Sequence, residues 1–248
     1  MTAALTVAAI QYEAHDGGVP ANVPEHVRLI EDAHSHGVRL VVFPELSLTG
    51  YDLKLFADED AWVTPGDPRL EDIRDIATRT GITVVVGAAF REGDGTPRLA
   101  SLVIRPAGDA APAFKTHLHG VERELFVPGS GPALLELDGW RIALAICFDA
   151  AVPSHASAAA EAGADVYAVS AVYVQGEEHR LGLHLGARSM DHRMFGILAN
   201  MGGSTSIGDS CGLSGAWGPD GRALTQLNVS GSAIGIATLQ PEALLPFR

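Results

Sequence analysis

The stretch "RIALAICFDA" (141–150) decides how this chain is read. Ile142 to Ile146 is an unbroken apolar run with no polar alternation, the pattern of a strand covered on both faces. Strands of that kind belong to α/β layer folds, in which helices cover the sheets. The run delivers a cysteine, Cys147, to its end and an aspartate, Asp149, just after it. In α/β folds the carboxyl ends of strands are where distant side chains converge on a ligand.

Outward from this strand the same grammar repeats. "LTVAAIQY" (5–12), "VRLVVFPE" (38–45) and "ITVVVGAAF" (82–90) read as buried strands before it, and "ADVYAVSAVYV" (164–174), "ILANMGG" (197–203) and "SAIGIATL" (232–239) as strands after it. Between them lie amphipathic or small-residue helices: "PEHVRLIEDAHSHG" (24–37), "DPRLEDIRDIATRTG" (67–81), "SHASAAAEAG" (154–163) and "EEHRLGLHLGARSMDHRMFG" (177–196). Asp67 is placed to cap the second helix, Pro68 sits at its first position and Gly81 stops it. "REGDGTPRL" (91–99) reads as a hairpin loop, and "GAWGPDGRALTQL" (215–227) as a hairpin about "PDG". No linker, repeat or low-complexity segment divides the 248 residues, so one domain over 1–248 is expected.

Thirty acidic residues against 17 basic ones, a net charge of −13, argue against a nucleic-acid partner or an anionic membrane surface, both of which need a clustered positive field. No apolar run approaches a membrane span and the N-terminus lacks a secretory pattern, so a soluble, cytoplasmic protein is expected. Two cysteines, Cys147 and Cys211, are then read as free thiols.

Three groups stand at or just beyond strand ends: Glu45 after "LVVFP", Cys147, and Lys115 in "APAFKTHLHG" (111–120). Each alone has a bland reading, as a solvated carboxylate, an inert core thiol or a surface charge. Together they have a chemical logic. A thiol needs a base to become a nucleophile, a carboxylate accepts that proton, and an ammonium stabilises both the thiolate and the oxyanion formed on a carbonyl. The ten histidines invite a metal-hydrolase reading, but there is no "HExxH", and His34 and His36 end a helix, where imidazole is a common capper. No metal is expected.

"VVFPELSLTGY" (41–51), "FKTHLHGVERELFVPG" (114–129) and "IALAICFDAAVP" (142–153) resemble, in order and spacing, the three signature blocks of the nitrilase superfamily of carbon-nitrogen hydrolases. "EAGADVYAVSA" (161–171) and "GARSMDHRMFGILANMGG" (186–203) extend the resemblance over nearly the whole chain. It implies a four-layer αββα sandwich, a cofactor-free amidohydrolase and a homodimer. Glu45 would be the general base, Cys147 the nucleophile and Lys115 the stabiliser of the tetrahedral intermediate. Glu122, with Glu124 as the fallback, would hold the substrate amide, and the Phe148 backbone amide would serve the oxyanion. Phe148, Asp149, Tyr173 and His117 are the expected substrate-binding residues, although Asp149 also suits a structural carboxylate taking backbone hydrogen bonds. Where many relatives carry an arginine and "PE" after the nucleophile, this chain has Ala150 to Ser154, which removes support for a carboxylate-bearing carbamoyl substrate. The implied substrate is a small amide; nitriles and N-carbamoyl amines are the alternatives, and a catalytically silent binding protein on the same scaffold is the rival from another class.

Overall fold

The computed structural model describes residues 2–228 and 230–247. Along the chain run β1 (Leu5–Gln11), α1 (Gly18–Ser35), β2 (Leu40–Val42), α2 (Glu71–Thr80), β3 (Thr83–Arg91), β4 (Pro97–Ile104) and β5 (Ala110–Phe114). After these come α3 (Glu122–Leu125), β6 (Ala133–Leu137), β7 (Trp140–Ile146), α4 (Phe148–Ala151), α5 (Pro153–Glu161), β8 (Val166–Ala171), α6 (Glu178–His192) and β9 (Phe195–Asn200). A small hairpin, β10 (Ser204–Thr205) with β11 (Gly208–Asp209), precedes β12 (Gly215–Trp217), β13 (Ala223–Gln226) and β14 (Ala233–Leu239).

Two six-stranded sheets result, ordered β14-β1-β2-β3-β4-β5 and β13-β12-β9-β8-β7-β6. Each has a parallel trio at its heart, β1-β2-β3 in one and β7-β8-β9 in the other. Because side chains alternate across a strand, a strand covered on both sides must be apolar at every position, which explains the unbroken runs. Val7, Leu40, Val42 and Val85 pack between the sheets against Ile142, Leu144, Val166 and Phe195. The opposite face of the first sheet, with Ile10, Val41 and Val84, is covered by Ile30 of α1 and Ile73 and Ile76 of α2. That of the second, with Ala143, Ala145 and Val169, is covered by Ala156 and Ala159 of α5 and Leu181 and Leu185 of α6. The layers are therefore α-β-β-α, as expected, and each fully buried aliphatic side chain in them contributes about 1.5–3 kcal/mol.

The structure departs from the expected boundaries in ways that matter at the site. The first helix starts at Gly18 with Pro24 inside it; the Asn22 side chain closes its first turns by donating to the carbonyls of His15 and Gly18, so the helix no longer depends on proline as its start. The second strand ends at Val42 rather than Glu45. There the chain turns across β3 at Gly87, where a Cβ would lie 2.2 Å from the Pro44 carbonyl oxygen. The strand of the opening sequence ends at Ile146, one residue before the cysteine. Strand β6, the β10–β11 hairpin and the single turns α3 and α4 carry too little periodicity to be foreseen.

Candidate active site

Glu45 lies in the turn after β2 and is fully buried. The turn is held tightly: Leu46 takes a positive φ of 53°, and Leu48 N–H donates to the Gly87 carbonyl at 3.0 Å. Lys115 follows β5 and its side chain is likewise shut off from solvent. Burying an ammonium is expensive unless it is paired. Lys115 Nζ is paired twice, donating at 2.7 Å to Glu45 Oε1 and at 2.7 Å to Glu122 Oε1. Glu122, the first residue of α3, also accepts from the Tyr51 hydroxyl at 2.7 Å and from His119 N–H at 2.8 Å. Two carboxylates and one ammonium leave this cluster one negative charge in excess when all are ionised.

Cys147 joins β7 to α4 in a strained conformation, φ 47° and ψ −100°, of a kind that costs on the order of 1–3 kcal/mol and persists only when its surroundings enforce it. Its own N–H donates to the Ser170 carbonyl at 2.8 Å on the neighbouring parallel strand, and its thiol lies 3.7 Å from the Val172 carbonyl oxygen. The sharp strand-to-helix turn keeps the cysteine partly exposed, facing a cavity of about 380 Å³. Phe148 N–H, at the start of α4, belongs to the helix donors that have no partner one turn back.

Burial and pairing set the protonation states. Burial raises the Glu45 carboxyl to about 7 against the pull of Lys115, with the Glu122 charge adding to the rise. Glu45 Oε2 has no hydrogen-bond partner among the described residues, and the Cys147 thiol lies close enough to ease its ionisation. Burial also raises the Cys147 thiol, as does the Glu45 charge, while Lys115 opposes them. Burial works against the Lys115 ammonium, yet Glu45, Cys147 and Glu122 together hold its pKa above the ordinary lysine value. The resting pattern is a neutral thiol beside a carboxyl whose proton affinity burial has raised and a fixed cation.

Glu45, Lys115, Glu122 and Cys147 all line one cavity, with Phe148 and Tyr173 in its wall. Asp149 and His117 do not line it. Asp149 is buried behind it: Oδ1 accepts from His117 N–H at 2.8 Å and faces His117 Nδ1 at 2.9 Å, and Oδ2 accepts from Ile146 N–H at 3.0 Å and from Thr116 N–H at 3.4 Å. A carboxylate so engaged has nothing left for a substrate. It ties the lysine loop to the cysteine turn, and it holds the His117 ring away from the cavity. Glu124 is exposed and outside the cavity.

Several lining residues escaped the sequence reading. Tyr51 ends the "FPELSLTGY" block and bonds Glu122. Of the two histidines flanking the lysine block, both readable in the sequence as shaping the pocket entrance, the ring of His119, not His117, stands in the wall, 4.7 Å from that of Phe148. Ile207, at the tip of the β10–β11 hairpin, and the ion pair of Arg180 with Glu177, 2.6 Å, lie at the cavity edge. "TGY" was the one available signal, a tyrosine in the same block as Glu45. Among the described residues no three His, Cys, Asp or Glu side chains cluster so as to hold a metal ion, and no helix is long and apolar enough to cross a membrane.

The arrangement can present a thiol to a bound carbonyl carbon, take its proton on Glu45, and stabilise the resulting oxyanion with Lys115 and the Phe148 amide. Comparison with known proteins points the same way. A nitrilase from Pyrococcus abyssi is 28% identical over 221 residues, 88% of this chain and 83% of the relative. An (R)-stereoselective amidase from a Pseudomonas species is 28% identical over 218 residues, covering 87% of this chain and 78% of the relative. A double mutant of the amidase from Nesterenkonia sp. AN1, solved in complex with acrylamide, superposes with a TM-score of 0.87 at 25% identity, covering 98% of this chain and 94% of that one. The carbon-nitrogen hydrolase family model matches residues 6–248. With that match spanning nearly all of its length, the chain belongs to the carbon-nitrogen hydrolases of the nitrilase superfamily.

Proposed function

We propose that the protein hydrolyses a small, uncharged carboxamide through a thioester on Cys147. The observation that carries this reading is the doubly paired Lys115, which joins Glu45 and Glu122 at 2.7 Å each in the cavity that Cys147 faces. In the first half-reaction the thiol proton passes to Glu45 as sulfur bonds to the amide carbon. Lys115 Nζ and Phe148 N–H stabilise the oxyanion, and Glu122 orients the amide nitrogen. Glu45 then protonates that nitrogen, the C–N bond breaks, and ammonia or an amine leaves. In the second half, water gives a proton to Glu45 and its oxygen to the acyl carbon; the C–S bond breaks and the sulfur recovers its proton. A base near pKa 7 is suited to this two-way traffic, because at neutral pH it both accepts and returns a proton readily.

The cavity also supports the substrate class. Leu53, Val172, Val174 and Phe148 give it an apolar wall. Among the described residues its two lining cations already have carboxylate partners, Lys115 with Glu45 and Glu122 and Arg180 with Glu177, which disfavours an anionic acyl group. The Nesterenkonia amidase has been captured with acrylamide and with butyramide, and a variant carries the acetamide moiety of fluoroacetamide on its active-site cysteine. The reading includes one domain over residues 1–248, in keeping with the return of β14 to pair with β1.

Ammonia release from a panel of acetamide, butyramide, an N-carbamoyl amine and butyronitrile tests the proposal. The neutral amides are expected to turn over at a rate unchanged by EDTA, and Cys147→Ala is expected to abolish it. Turnover confined to the nitrile, or surviving Cys147→Ala, would overturn it.

A further inference from the structure

Glu45 is held from both sides along the chain by groups that do not themselves line the cavity. His26, from α1, is fully buried and stacks on Phe43, two residues before Glu45, with ring centroids 4.2 Å apart. Its Nε2 lies 2.9 Å from the hydroxyl of Ser47, two residues after Glu45. The direction of each bond follows from what the groups can do. His26 Nδ1 lies 2.8 Å from the Asn22 carbonyl oxygen, which only accepts, so Nδ1 carries a proton. Burial pushes this imidazole down to about 4, against a weaker upward pull from the Asn22 carbonyl and Glu25, so the ring is neutral and Nε2 is a bare acceptor. The Ser47 hydroxyl therefore donates to His26. Its oxygen in turn accepts from Gly87 N–H at 3.1 Å, at the place on β3 where the backbone of the Glu45 turn crosses too closely for any side chain.

The chain Gly87 N–H to Ser47 to His26 to the Asn22 carbonyl is complete, with a proton for every acceptor. It fastens the Glu45 turn to β3 below and to α1 beside it. Glu45 needs such support, because Leu46 next to it is strained and the carboxylate is held by Lys115 through one oxygen only. We propose that Ser47 and His26 are positioning residues for Glu45, fixing its free carboxyl oxygen toward the Cys147 thiol. This rests on the reading of Glu45 as the base of the reaction.

The test uses Ser47→Ala, His26→Phe, which keeps the ring stack but loses the acceptor, Ser47→Thr, which keeps the hydroxyl, and Val166→Ala, a truncation between the sheets away from the turn. Two readouts are taken on the folded proteins: turnover of an accepted amide, and the pH dependence of Cys147 alkylation by iodoacetamide, which needs no substrate. Ser47→Ala and His26→Phe are expected to lower kcat by about tenfold to a hundredfold with KM little changed, since small misplacements of a catalytic group cost rates of this size. Their alkylation profiles should shift along the pH axis. Ser47→Thr should restore both readouts and Val166→Ala should alter neither. Wild-type kcat and alkylation profile in Ser47→Ala and His26→Phe, or an equal change in Val166→Ala, would overturn the proposal. Should Ser47→Ala fail to fold, Ser47→Cys, a weaker donor of similar size, takes its place under the same criteria. Loss of the reading beneath it has a different signature: Glu45→Gln itself would leave turnover and alkylation unchanged.

Discussion

Of the buried carboxylates at the cavity, Asp149 and Glu45 are built for opposite purposes. Both Asp149 oxygens are taken up by backbone N–H groups and the His117 ring, which join the lysine loop to the cysteine turn. Glu45 has one oxygen on Lys115 and one with no hydrogen-bond partner among the described residues. A buried acceptor left unpaired costs about 1–3 kcal/mol, so a fold keeps one only where something else requires it. The difference teaches that burial alone does not set such a carboxylate apart; unspent hydrogen-bonding capacity in a cavity does.

The contrast breaks most visibly in activity. Glu45→Gln keeps the shape and removes the proposed base, and is expected to cut kcat/KM by about 10²–10⁴ while leaving the fold intact. In the wild type kcat/KM should fall as pH drops through about 7, where burial places the Glu45 titration, because a protonated Glu45 cannot take the thiol proton. A rate profile flat from pH 5 to 8 would remove Glu45 from its role.

Asp149→Ala should reverse the order of effects. Backbone donors of Ile146, Thr116 and His117 lose their acceptor, so urea denaturation is expected to show a loss of about 2–3 kcal/mol or more. Activity should fall only as far as Lys115 drifts from Cys147. Full stability with lost turnover would instead return Asp149 to the substrate.

Tyr51→Phe is a finer cut. It removes one of the three donors to Glu122, leaving Lys115 and His119 N–H. The expected loss is about 1 kcal/mol, roughly fivefold in kcat/KM, with little change in melting temperature.

The last effect is on stability and not on rate. The folded-state pKa of Glu45, about 7, lies above its ordinary value of 4.5, so the folded state binds this proton more tightly than the unfolded chain does. Stability associated with this group is complete below about 4.5 and is lost as pH rises toward 7. Glu45→Gln mimics the protonated form. Its melting temperature relative to wild type should therefore improve from pH 5 to about pH 7 and level off above that, and a constant gap would contradict the buried, raised carboxyl.

Much of this was legible in the sequence, for a physical reason. Strands covered on both faces need unbroken apolar runs, and such runs point to their own ends, where Glu45 and Cys147 stand; Lys115 follows β5, a partly exposed edge strand with a weaker signal. Sequence could not show what depends on meetings across the fold. Tyr51 reaches the cavity from a turn with no periodicity, and Ile207 from a two-residue-strand hairpin. Asp149 looks like a pocket residue beside the nucleophile, but the one-turn helix after Cys147 carries its side chain behind the wall. The first helix seemed to begin at Pro24 because proline is a frequent helix opener; the side-chain bonds of Asn22 that extend it back to Gly18 connect to His15, outside any helical repeat.

The most direct measurement is intact-protein and peptide mass spectrometry of the wild-type protein quenched in acid while it turns over an accepted amide. An added acyl mass, mapped to the peptide of Cys147, absent from Cys147→Ala and accumulating faster than it clears when deacylation is slowed, is the expected result. Steady ammonia release with no mass on Cys147, or with the acyl group on Cys211, would contradict a cysteine thioester at this site.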